Sequence, residues 1–91
     1  MSKRQKRLQR IRQNPKNVSL DDLRSVLEDY GFEYQRTVGS HYTFSYMLSG
    51  ETKIFVVPFE RPVKAIYVKR AIKLIDQIIE EQGESDDTDE E

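Results

Sequence analysis

The chain has no cysteine among its 91 residues. That excludes a disulfide framework, a thiol nucleophile and any thiolate metal site. It also fits a reducing compartment, and the cytoplasm is the expected location. Long apolar runs are missing too. None approaches the roughly 20 residues that cross a bilayer, and the basic N-terminus is not followed by an apolar stretch, so neither a membrane span nor a secretory signal is expected. Histidine is scarce, with His41 the single example. The length itself allows one small domain with a modest core.

What is plentiful is charge, unevenly placed. The formal net charge is -1, yet all 15 Lys and Arg lie before residue 80, together with only 8 of the 16 acids. The remaining 8 acids lie in residues 80–91, with no base among them. The body is therefore basic and the tail acidic. A compact basic domain points to a polyanionic partner, usually nucleic acid, although Lys and Arg also serve simply to solvate a small surface.

Residues 1–17 carry Leu8 and Ile11 as their only apolar residues after Met1. The segment reads as a basic arm, partly helical or disordered, whose Lys3, Arg4, Lys6, Arg7, Arg10 and Arg12 are placed to attract phosphate. The main domain is expected over 18–82. Ser19 caps a helix with Asp22 three residues on, and Val18 and Leu23 occupy the staple positions. Leu20, Leu23, Val26, Leu27 and Tyr30 form its apolar stripe, and Gly31 ends it.

Three β-prone segments follow. In Phe32 to Val38, Phe32, Tyr34 and Val38 alternate with Glu33, Gln35 and Thr37. Gly39-Ser40 marks a turn. From His41 to Tyr46, Tyr42, Phe44 and Tyr46 take one face while His41, Thr43 and Ser45 take the other. The β-branched run Thr52 to Val57 reads as the most buried strand, ended by Pro58. A closing helix from about Ala65 into Gln77 to Gln82 turns Val68, Ala71, Ile72, Ile75, Ile78 and Ile79 inward. Residues 83–91 hold nothing apolar to bury and are expected to be disordered. The fold class is α+β, in the order α-β-β-β-α: a three-stranded antiparallel sheet with two helices on one face. This is the order of the double-stranded-RNA-binding domain. Fold does not fix function.

The alternation puts His41 on the open face of that sheet. Imidazole accepts and donates protons near neutrality. Cleavage of RNA by its own 2′-hydroxyl needs such transfers and positive charge at the phosphate, without metal or cofactor. A lone strand histidine with no role is the ordinary alternative. Tyr34, Tyr42, Phe44 and Tyr46 read chiefly as core. Glu28, Asp29 and Glu33 lack metal-site spacing with His41.

The succession of a helix, Asp29-Tyr30-Gly31-Phe32, a polar strand and Gly39-Ser40-His41 opening the next strand resembles the HicA toxin family. The segment Val56-Val57-Pro58, followed by a basic loop and a closing helix, is similar as well. The likeness covers roughly Ser19 to Ile79. It implies a metal-independent ribonuclease that cleaves mRNA, with His41 as the catalytic residue and a cognate HicB-like antitoxin as partner. Many members of that family carry a second histidine where this chain has Tyr42, so His41 is expected to work alone. Gly39 permits the turn and Ser40 is placed to donate a hydrogen bond to phosphate, although both are also ordinary turn residues. Lys53, Arg61, Lys64, Lys69, Arg70 and Lys73 are the other expected substrate contacts. A non-catalytic RNA-binding module and a protein-interaction domain are the alternatives. The acidic tail is either a solubilising end or a competitor for the basic surface. In the second case, its deletion would raise RNA affinity at low salt.

Overall fold

Helices begin where the sequence supplies caps. In the computed structural model, which describes residues 2–83, the Ser2 hydroxyl accepts from the Gln5 backbone N–H at 3.2 Å. The Gln5 side chain accepts from the Ser2 N–H at 2.8 Å, completing a capping box that starts helix α1, Lys3–Gln13. Ser19 accepts from the Asp22 N–H at 3.0 Å and starts α2, Leu20–Asp29. Val18 and Leu23, the expected staple pair, are both buried. The last helix, α3, is Ala65–Gln82, and Gly83 closes it in the left-handed conformation.

Three strands lie between α2 and α3: β1 Glu33–Val38, β2 His41–Leu48 and β3 Glu51–Pro58. They pair antiparallel in the order β1-β2-β3. Phe44 and Tyr46 of β2, with Phe55 and Val57 of β3, face the helices and enter one core. There they meet Leu23, Val26 and Leu27 of α2 and Val68, Ala71, Ile75 and Ile78 of α3. Phe32 stacks on Tyr46 with ring centroids 4.7 Å apart. The expected α-β-β-β-α order is present, with one helix more at its start. No helix among the described residues is long and apolar enough to cross a membrane. The acidic tail lies, from residue 84 onward, outside the described residues.

Three expectations change. The basic arm is a packed helix, with Leu8 and Ile11 buried in the common core. Two apolar residues suffice because guanidinium pairs fasten the rest. Arg7 makes two hydrogen bonds to the Asp29 carboxylate, at 2.7 and 2.8 Å, and Arg12 chelates Asp76 of α3. Hydrogen bonding to Asp29 holds the Arg7 guanidinium above its ordinary range, and Asp76 does the same for Arg12. Arg4 lies over the Tyr30 ring at 5.1 Å. Half of the arm's six named bases thus serve packing.

Second, β3 is an edge strand, and the central strand β2 is the better buried. Ile54 is 58% exposed and Val56 38% exposed. A β-branched run reports a pleated surface rather than burial on both faces. Third, Val38 does not share the face of Tyr34. The register shifts between Tyr34 and Arg36, an irregularity at Gln35 that reverses the alternation and sets Val38 opposite His41.

Both hairpins have two-residue turns, since Val38 pairs with His41 and Leu48 with Glu51. In the second turn, Ser49 and Gly50 have φ of 56° and 77°. Positive φ at both central positions is the type I′ pattern, which favours Asn-Gly, whereas serine is strained there. Ser49→Asn is therefore expected to stabilise the fold by about 0.5–1 kcal/mol. A higher urea midpoint with an unchanged slope is the readout.

Candidate active site

The first hairpin places His41. Gly39 has φ of 60° while Ser40 is not in the positive-φ region. This is the type II′ arrangement, with glycine at the first central position. Gly39 is thereby explained by the turn. The Ser40 carbonyl accepts from the Phe59 N–H at 2.7 Å, which ties the turn to the end of β3. Its side chain is exposed.

His41 is the first residue of the central strand, between Val38 on β1 and Pro58 on β3. Strand alternation puts it on the face that no helix covers. It is exposed, and among the described residues its imidazole makes no hydrogen bond and no ion pair. Val38, Arg36, Thr43 and Val56 stand nearest it on that face, with Glu33, Ser45, Met47, Thr52 and Ile54 farther along. Of these, Val38, Met47, Ile54 and Val56 are exposed apolar side chains. Ser45 accepts a hydrogen bond from Gln35 at 2.7 Å.

The basic residues expected to surround His41 do not gather there. Lys53 pairs with Tyr46, which puts it on the helix face near the other end of β2, with its ammonium 3.3 Å from Glu51. Lys69, Arg70 and Lys73 are exposed on α3. Because α3 docks its apolar stripe against the sheet, its charged side points away from the face of His41. Arg70 lies over Tyr67 at 5.4 Å. Lys64 stands 3.6 Å from Glu60, and Arg61 lies over the Phe59 ring at 5.3 Å, both in the segment that leads from β3 to α3.

Arg36 takes the place left to them. It pairs with Thr43, two residues along β2 from His41, and so lies on the same face, diagonal to His41 across the β1-β2 pair. It is exposed and carries no ion pair among the described residues. A tight turn at Gly39-Ser40 already requires Val38 opposite His41, and Arg36 two residues back must then share that face. That constraint was in the sequence; strict alternation from Phe32 hid it.

Tyr42 points inward, as alternation predicts. Its ring lies 6.1 Å from Tyr34 and 6.2 Å from Phe59. No three His, Asp or Glu side chains among the described residues stand together as a metal cage. Among the described residues, the open face offers an imidazole at the β1-β2 turn and a guanidinium diagonal to it, neither with a partner. No family model matches the chain, and no curated protein or solved structure was found to match it.

Proposed function

We propose that the protein is a toxin ribonuclease that cleaves mRNA in the cytoplasm without metal, using His41 as its single proton-transfer residue. The observation that carries this reading is the exposed, unpartnered imidazole of His41 with Arg36 diagonal to it. Imidazole takes the proton from a 2′-hydroxyl, and the 2′-oxygen attacks the adjoining phosphorus. The bond from phosphorus to the 5′-oxygen breaks, and that oxygen takes a proton from imidazolium or water. The products are a 2′,3′-cyclic phosphate and a 5′-hydroxyl. Arg36 stabilises the phosphate oxygens as they gain charge. The Gly39-Ser40-His41 hairpin of the HicA resemblance supplies the further support.

Two results test it. Purified protein should cleave a single-stranded RNA in EDTA and leave cyclic-phosphate ends; dependence on added metal would defeat the reading. Arg36→Gln should lower the cleavage rate about 100- to 1000-fold, in the range seen when one donor to a developing charge is removed. Lys69→Gln, on the far side of the molecule, should change it less than about twofold. Equal losses would place the RNA elsewhere. Binding without decay would instead favour a non-catalytic RNA-binding module.

The apolar side chains on the same face favour a protein partner as well. Val38, Met47, Ile54 and Val56 are uncovered on the face that carries His41, and exposed apolar surface of this kind marks an interaction site. A HicB-like antitoxin seated there would cover the imidazole. Co-expression of such a partner should relieve growth arrest, and Ile54→Asp should prevent the relief without removing toxicity.

A further inference from the structure

A groove opens not on the face of His41 but round the end of the sheet from it. It lies between the start of α2 and the loop after β3, with a volume of about 830 Å³. That is room for a small organic ligand. Tyr42 and Phe59 line it, and Arg61, whose guanidinium lies 5.3 Å from the Phe59 ring, joins them. Phe59 is 37% exposed, so part of its ring faces the groove and is open to a ligand. The row continues inward through Tyr34, with Arg24 over that ring at 4.4 Å. Arg24 itself lines the groove, as do Asn17, Asp21, Asp22 and Glu60, the last standing 3.6 Å from Lys64.

This combination selects a ligand. Rings and a guanidinium plane offer stacking surfaces, and unpaired RNA bases stack on both. Glu60 is offset by Lys64, and the two guanidiniums lie over rings. Asp21 and Asp22 carry no ion pair among the described residues and disfavour phosphate on their side, so a base rather than the backbone suits that end. Carboxylates accept hydrogen bonds and cannot donate them, which favours a base edge bearing an amino group. The groove also adjoins the reacting position. Phe59 follows Pro58, the register partner of His41, and its N–H is bonded to the Ser40 carbonyl. A strand whose phosphate lies at His41 has a neighbouring base within reach of Phe59.

We infer that the groove lined by Tyr42, Phe59, Arg61, Asp21 and Asp22 holds one unpaired, amino-bearing base of the RNA strand that passes His41. This rests on the ribonuclease reading and assigns its substrate as single-stranded RNA. Cytosine is preferred to uracil, which presents carbonyl oxygens where cytosine presents its amino group. Duplex RNA, with its bases paired, does not fill the site.

The test uses the full chain carrying His41→Ala, so that binding is read without cleavage. Fluorescence anisotropy is measured with labelled oligocytidine, oligouridine and a duplex at neutral pH. The single strand of cytidines should bind best. Phe59→Ala should weaken it about tenfold or more, within the range for loss of one stacked base. Asp21→Asn with Asp22→Asn should erase the preference for cytidine over uridine. The chain has no tryptophan, so Phe59→Trp supplies a single reporter. Its emission should be quenched by oligocytidine with affinity near that of the parent. Unchanged affinity in Phe59→Ala, or no quenching in Phe59→Trp, overturns the inference while leaving cleavage by His41 standing. Conversely, failure of the intact chain to cleave any RNA defeats the ribonuclease reading even if the base binds.

Discussion

His41→Ala is expected to lower RNA cleavage by about 10²- to 10⁴-fold, the usual contribution of a positioned proton-transfer group. It should do so with little change in stability. His41 is exposed at the start of β2, its imidazole has no partner among the described residues, and the β1-β2 turn is held by Gly39 and the backbone. Surface changes of this kind stay within about 0.5 kcal/mol. The pairing of a large kinetic loss with an unchanged urea midpoint separates catalysis from folding. Loss of activity together with the fold would give His41 a structural role, and retained activity would remove it from the mechanism. Growth arrest on expression should follow the same pattern. His41→Gln, which keeps hydrogen-bonding capacity but cannot carry the proton, should be as inactive as alanine.

A single histidine imposes a limit that the inward turn of Tyr42 makes concrete. Tyr42 lies on the helix side of the sheet against Tyr34 and Phe59, so its phenol is not beside the imidazole. In the proposed reaction, the leaving oxygen must take its proton either from His41, which holds the one removed from the 2′-hydroxyl, or from water. A guanidinium carries no proton between atoms there, so the part left to Arg36 is the phosphate.

The accessibility of His41 was legible in the sequence because period-two alternation and the Gly39-Ser40 turn act locally on consecutive residues. So were the caps of α2 and the stripe of α3, where apolar residues recur at helical spacing. The missed features depend on pairing between distant segments. The register shift at Gln35 inverts the second half of β1, and nothing in the composition of Phe32 to Val38 announces it. The order of strands decides that β2 rather than β3 is central, and the sequence of each strand alone does not. Lys69, Arg70 and Lys73 lie off the apolar stripe and face outward on their helix. Only the docking of that helix shows that outward means away from His41. The groove beside Phe59 joins residues from the α2 start, β2 and the loop after β3, so its lining is scattered along the chain.

The same distinction between local pattern and distant pairing makes α1 worth testing. Ile11→Ala is expected to destabilise the protein by about 2–5 kcal/mol, the cost of truncating a buried isoleucine. Ile11 is 2% exposed and belongs to the common core together with Leu8, α2 and α3. Small domains have about 5–15 kcal/mol in total, so this one change removes a large fraction. A mobile arm would predict no effect, which gives the measurement its force. Arg10→Ala, exposed on the same helix, should stay within about 0.5 kcal/mol. Arg12→Gln breaks the link to Asp76 and should lower the urea midpoint slightly while leaving RNA affinity unchanged, because that charge is already paired. If Ile11→Ala were neutral and Arg12→Gln weakened RNA binding, α1 would be acting as a basic arm. With the opposite result, Arg12 is structural, and the RNA-binding charge must come from bases that packing leaves unpaired, beginning with Arg36.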